Sequence, residues 1–241
     1  MRAGGFGYRE VAIRINGFDT AWADDDLSAA IEARPDAIVL TKVNGPAELA
    51  RVGAAIRMAD ADPIEVWAMI ETPRALLNIR EIAAFEDPDG PLATLVLGTN
   101  DIAKELRLGA APGRPGMVCH LANCVLAARA HGLDILDGVY NEFSDTEGLR
   151  AECQQGRALG MDGKTLIHPS QVATANEVFS PSQQEQAAAR RILAAFARPE
   201  NAGRGAISLD GQMVEALHAE MARRTVALAD AIAAREVDGK S

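Results

Sequence analysis

Short apolar runs alternate with amphipathic stretches from the first residues to about position 167. That alternation restricts the chain to a parallel sheet with crossover helices, since such runs need burial on both faces and only helices returning over the sheet supply it. The expected strands span 10–15, 37–40, 64–70, 94–97, 135–139 and 164–167. Helices are expected at 24–33, 46–59, 74–84, 117–131 and 146–160. The fold class is therefore α/β, and the order of elements suits a TIM-type (β/α)8 barrel, although a closed barrel needs eight strands. Beyond 167 the pattern becomes helix upon helix, at 170–179 and 182–197, the second opening on the capping sequence S-P-S-Q-Q-E. A glycine-containing break at 201–205, a short apolar segment at 206–209 and a last helix at 212–234 complete the chain. The expected organisation is a barrel domain over 1–178 and a small helical appendage or lid over 179–241.

Two strand ends carry carboxylates. In A-M-I-E-T-P-R, Glu71 stands where the apolar run 64–70 gives way to a helix, and in T-L-V-L-G-T-N-D-I-A-K-E-L, Asp101 follows Gly98 at the next helix start. Barrels of this kind place their chemistry at the C-terminal ends of strands. An ionised group leaves water at a cost of several kcal/mol unless a cation or donors compensate it. Converging on one hard cation, the two carboxylates would suit Mg²⁺, which takes a carboxylate pair plus water and substrate oxygens. The alternatives are that Asp101 caps its helix and that Glu71 pairs with Arg74 or Arg80. Asp137 in I-L-D-G-V-Y is expected either to face the same mouth or to be a turn residue before Gly138.

Composition excludes several functions. Aromatic residues make up 4% of the chain, too few for a base-stacking platform. With 24 basic against 34 acidic residues the formal charge is −10, which disfavours nucleic acid and acidic membranes and leaves room for a local basic pocket. Cys119, Cys124 and Cys153 have neither zinc-site nor disulfide-framework spacing, so a reducing cytoplasm is the expected location. No apolar signal core and no membrane-length stretch is evident.

Taken in order, V-A-I-R-I-N-G-F-D-T, A-I-V-L-T-K-V, M-I-E-T-P-R-A-L-L-N, L-G-T-N-D-I-A-K-E-L, V-L-A-A-R-A-H-G-L-D-I-L-D-G-V-Y and G-M-D-G-K-T-L-I-H-P-S-Q-V cover nearly the whole chain. Together they resemble the citrate lyase beta-subunit-like proteins, which include malyl-, citramalyl- and β-methylmalyl-coenzyme A lyases. The resemblance implies that Glu71 and Asp101 ligate Mg²⁺, and that Arg14 reaches the active site, where its planar, permanently charged fork holds a carboxylate or developing oxyanion. Lys42 matches a recurrent family lysine, with pairing to a neighbouring carboxylate as the alternative. Gly163, Lys164 and His168 would approach the phosphates or pantetheine of a coenzyme A thioester at a helix start. Alternatively, His168 and Pro169 simply begin that helix.

Three departures from the family stand out. The opening R-S-x-L-F-x-P-G and D-L-E-D segments have no counterpart, so the barrel is expected to lack its first two strands and to present an open parallel edge. The family's D-G-x-M-I-D reads D-G-Q-M-V-E, so Glu215 replaces a catalytic aspartate that in the lyases serves a neighbouring subunit; a shift near 1 Å can cost on the order of a hundredfold in rate. Leu121 stands where relatives carry a basic residue. The activity implied is Mg²⁺-dependent carbon–carbon cleavage of a 3-hydroxyacyl-coenzyme A thioester to acetyl-coenzyme A and a 2-oxo acid, with Glu215 as general acid/base in a homotrimer or a multiple of trimers. An acyl-carrier thioester is the other carrier implied. The competing readings are a metal-dependent 2-oxo acid aldolase and a truncated, non-catalytic thioester-binding or complex subunit.

Overall fold

The structure is a computed structural model and describes residues 6–7 and 9–238. These residues form two compact units divided between Phe179 and Ser180.

In the first unit strands and helices alternate as β1 (Ala12–Ile15), α1 (Ala23–Ala33), β2 (Ala37–Leu40), α2 (Pro46–Met58), β3 (Glu65–Ile70), α3 (Pro73–Leu77) and α4 (Ile79–Ala83). They continue with β4 (Leu92–Leu97), α5 (Thr99–Glu105), α6 (Val118–Ala130), β5 (Asp134–Asp137), α7 (Thr146–Leu159), β6 (Gly163–Lys164) and α8 (Val172–Phe179). The six strands form one sheet in sequence order, every neighbouring pair parallel. This is a partial barrel of the α/β class.

Period-two alternation sorts the strand residues. Ile38, Leu40, Val66, Ala68, Ile70, Leu95, Leu97 and Ile135 face one way, are almost wholly buried, and share a single core with Leu49, Val52, Ile56, Ile79, Ile82 and Leu121 of the covering helices. Their neighbours Arg14, Val39, Trp67, Met69 and Val96 line the opposite face, where the site lies. The helix expected over 74–84 is broken at Asn78, whose side-chain amide donates to the Asn44 carbonyl across the α2 entry loop at 2.8 Å. The sixth strand shrinks to Gly163–Lys164, and just beyond it the Ile167 N–H donates to the Gln171 side chain at 3.0 Å.

The second unit comprises α9 (Gln183–Phe196), β7 (Ala206–Leu209), β8 (Gln212–Glu215) and α10 (Ala216–Asp238). Ser182 and Glu185 close a reciprocal capping box on α9. The tail is thus not purely helical, and the last helix does not begin at 212. Residues 212–215 pair antiparallel with β7 through Asp210 (φ 52°) and Gly211 (φ 79°), the left-handed pair of a two-residue hairpin turn. Ala195, Ile207 and Val214 are the small core of this unit. Among the described residues no helix is long and apolar enough to cross a membrane.

Candidate active site

Strand register ends β1 level with β2, Ile15 beside Leu40, and β3 level with β4, Ile70 beside Leu97, the second pair running two residues further because Leu40 lies beside Ala68. Glu71 follows Ile70 and points to the same side as Trp67 and Met69, into a cavity of about 360 Å³ that Arg14, Gly98 and Asp101 also line. Glu71 is only 6% exposed. Its Oε1 accepts the Lys42 backbone N–H at 2.8 Å. Burial pushes its carboxyl above the usual range; the Lys42 N–H opposes that, the Asp101 charge adds to it, and the charges of Lys42 and Arg14 draw it back.

Gly98 explains how a side chain fits there. A Cβ at this position would lie 2.3 Å from Glu71 Cβ and 2.7 Å from Oε2, so the strand end must be bare for the carboxylate to pass over it. The donor set is two hard carboxylate oxygens. Among the described residues no group of three or more His, Cys, Asp or Glu is placed to hold a metal, so Glu71 and Asp101 stand as a pair. A pair with open positions fits Mg²⁺, which retains water and takes ligand oxygens, better than a cation needing an all-protein cage.

The other expected residues lie differently. Lys42 Nζ turns to Asp19 at 3.3 Å, an exposed ion pair, and only its backbone touches Glu71. Lys164 does not reach toward a ligand. Its side chain is fully enclosed, with Nζ 3.0 Å from Asp137 and 2.6 Å from Glu152. Asp137 does not face the mouth either, because it shares the parity of the buried Ile135, and it takes a two-pronged contact from Arg114 at 2.9 and 3.2 Å. Arg114, Asp137, Glu152 and Lys164 make a charge-balanced cluster that ties the short strand β6 to β5 and α7. Gly163 pairs with Leu136 within the sheet. His168 is exposed and caps the following 3-10 turn. Its Nδ1 accepts the Ser170 N–H at 3.2 Å, which leaves the neutral ring's proton on Nε2, and the ring stacks on Phe143 at 4.8 Å. Glu215 ends β8 in the second unit, with its N–H donating to His218 Nδ1 at 2.9 Å.

A larger cavity, about 720 Å³, lies between α1 and α2, lined by exposed residues such as Arg51, Asp24 and Met58. No strand end reaches it, whereas the smaller cavity is lined by the ends of β3 and β4. Sequence reasoning did not single out the Lys42 N–H, the packing role of Gly98 or Arg114. Only Gly98 left a signal, as the glycine directly after an apolar run.

Comparison with known proteins identifies the family. The sequence profile of the HpcH/HpaI aldolase/citrate lyase family matches residues 3–169, and that of the C–C bond lyases of the TIM-barrel fold matches residues 115–233. A (3S)-malyl-CoA thioesterase of Cereibacter sphaeroides is 50% identical over 229 residues, covering 95% of this chain and 77% of that protein. An L-malyl-CoA/beta-methylmalyl-CoA lyase of the same species is 33% identical, covering 95% and 79%. The solved structure of CitE from Mycobacterium tuberculosis, in complex with magnesium, acetoacetate and coenzyme A, superposes with a TM-score of 0.71 at 30% identity, covering 91% of this chain and 78% of that one. Strand-end carboxylates in a partial parallel barrel and a profile spanning most of that barrel lead to one conclusion, that this chain belongs to the HpcH/HpaI aldolase/citrate lyase family of enzymes.

Proposed function

We propose that this chain is a Mg²⁺-dependent enzyme that cleaves a malyl-type coenzyme A thioester, with hydrolysis of the thioester as the outcome. The observation that carries the reading is the convergence of Glu71, Asp101 and Arg14 on one cavity. Its support for hydrolysis is the 50% identity to malyl-CoA thioesterases. Glu71 and Asp101 would hold Mg²⁺, which when bound supplies Lewis acidity toward the hydroxyl and carboxylate oxygens of the ligand. Arg14 would hold the thioester oxygen as it gains negative charge, a contribution of roughly 3 kcal/mol for a donor of this kind. In hydrolysis water adds to the thioester carbon, the C–S bond breaks, and the coenzyme A sulfur leaves with a proton.

Carbon–carbon cleavage is the second reading, favoured by the lyase relative. There the hydroxyl loses its proton, the bond between the hydroxyl-bearing carbon and the thioester α-carbon breaks, and the resulting enolate takes up a proton to give acetyl-coenzyme A. Arg14 serves the same oxygen in both. Glu215 is our candidate for general acid/base work, delivered by a neighbouring copy in a trimer or a multiple of trimers. Its support is the family resemblance of D-G-Q-M-V-E. His168 and the Gly163 backbone are candidates for the coenzyme A arm. A coenzyme A ester and three free cysteines suit a reducing cytoplasm.

The test is product analysis by mass spectrometry after incubation with (3S)-malyl-coenzyme A in Mg²⁺ or EDTA. Malate with free coenzyme A, lost in EDTA and in Asp101→Asn, is the expected result. Acetyl-coenzyme A with glyoxylate would select the second reading, and metal-independent turnover would sink the carboxylate-pair assignment.

A further inference from the structure

Lys42 holds a backbone φ of 52°, in the left-handed region that penalises any residue with a Cβ. A non-glycine residue stays there only when its surroundings over-determine it. Here both of its main-chain polar groups are fixed. Its N–H donates to Glu71 Oε1 at 2.8 Å, and its carbonyl accepts from Asn44 Nδ2 at 3.0 Å. Asn44 is held in turn: its Oδ1 accepts from the Thr72 hydroxyl at 2.5 Å and its carbonyl accepts from Asn78 Nδ2 at 2.8 Å. Thr72 is covalently next to Glu71 and anchors itself by accepting the Ala75 N–H at the start of α3, at 3.0 Å. The hydrogen bonds therefore close a ring, from Glu71 through Lys42 and Asn44 to Thr72 and back along the chain. The Lys42 ammonium takes no part in it, being directed to Asp19.

We infer that Lys42 is a positioning residue acting through its main chain: the strained peptide, locked by Asn44, fixes Oε1 of Glu71 and leaves Oε2, lying over Gly98, as the oxygen offered to the cation. This rests on the metal assignment proposed above. It goes beyond that assignment by giving the position a requirement for a left-handed backbone N–H and none for an ammonium group.

The experiment is Mn²⁺ titration of the full chain, followed by the electron paramagnetic resonance of the free ion, since Mn²⁺ shares the oxygen-ligand preference of Mg²⁺. Lys42→Gly and Lys42→Val lose the same charge and differ in their tolerance of positive φ. Lys42→Gly is expected to bind Mn²⁺ within about twofold of the parent, and Lys42→Val about tenfold or more weakly, the scale of a lost hydrogen bond to a charged group. Asn44→Ala, which touches neither the cation nor Glu71, is expected to weaken binding with unchanged far-ultraviolet circular dichroism. It decides the matter if Lys42→Val does not fold. Equal weakening in both Lys42 variants would overturn the inference in favour of a role for the ammonium group. Parent-like binding in Lys42→Val and Asn44→Ala would overturn it outright. A parent chain that binds no Mn²⁺ would remove the metal assignment itself, and the inference with it.

Discussion

Replacing Gly98 with alanine puts a methyl carbon 2.3 Å from Cβ of Glu71. Carbon atoms pack best at about 3.5–4.0 Å, so the two strand ends must part by roughly 1 Å or more. No rotamer change relieves this, because both clashing atoms are Cβ carbons fixed to the backbone. The two strands are joined there by the Gly98 N–H donating to the Ile70 carbonyl at 2.9 Å. The backbone adds no left-handed strain, since Gly98 has φ −87°. Overpacking of this kind costs about 1–3 kcal/mol. For a chain of this size that is a fall in Tm of roughly 2–12 °C. Calorimetric melting of Gly98→Ala gives the cost, and the same substitution in a Glu71→Gly background gives the control, because removing the Glu71 side chain removes both contacts. The expected coupling equals nearly the whole cost. An equal fall in Tm in both backgrounds would refute the reasoning and place the strain elsewhere.

Two further predictions concern charged groups. Lys164→Met leaves Glu152 and the fully enclosed Asp137 with Arg114 alone, and should cost about 3 kcal/mol in urea unfolding while KM for the thioester stays within about twofold; a raised KM with unchanged stability would mean that Lys164 swings to the ligand. Glu71→Gln should stabilise the metal-free chain at neutral pH while abolishing metal binding. The sign follows from the raised carboxyl of Glu71: its contribution favours the folded state below the ordinary value of 4.5 and is withdrawn as pH rises through the higher folded value. Urea midpoints from pH 4 to pH 7 should therefore fall more steeply for the parent than for the variant, and parallel curves would contradict the burial argument.

Much of the first unit was legible because its strands are apolar on the face that helices cover. Strand β2 was placed at 37–40 and found there, and the run ending at Ile70 put Glu71 beyond the strand end. Side-chain direction was harder. In a two-residue strand a shift of one position exchanges the faces, so nothing in G-K-T-L told that Lys164 turns inward beside Asp137. Arg114 was invisible for another reason: its partner Asp137 lies 23 residues away, and the loop that carries it has no periodicity to read. The Asp210-Gly211 turn was present as a dipeptide, yet Q-M-V-E-A-L-H continues smoothly into helix-forming residues and hid the hairpin. The break at Asn78 is tertiary in origin, set by a hydrogen bond to Asn44 that no local pattern contains.

The cavity wall also equips the chain with its own optical label. Of its two tryptophans, Trp22 is 65% exposed, whereas Trp67 lines the cavity with its indole Nε1 buried and without an acceptor among the described residues. Water-facing indole emits at longer wavelength and is open to ionic quenchers, while shielded indole emits to the blue and is not. With Trp22 silenced by iodide, the remaining light comes from the more protected Trp67 in the cavity wall, so a molecule that enters the cavity and changes the surroundings of that ring can be watched without altering a single atom of the protein.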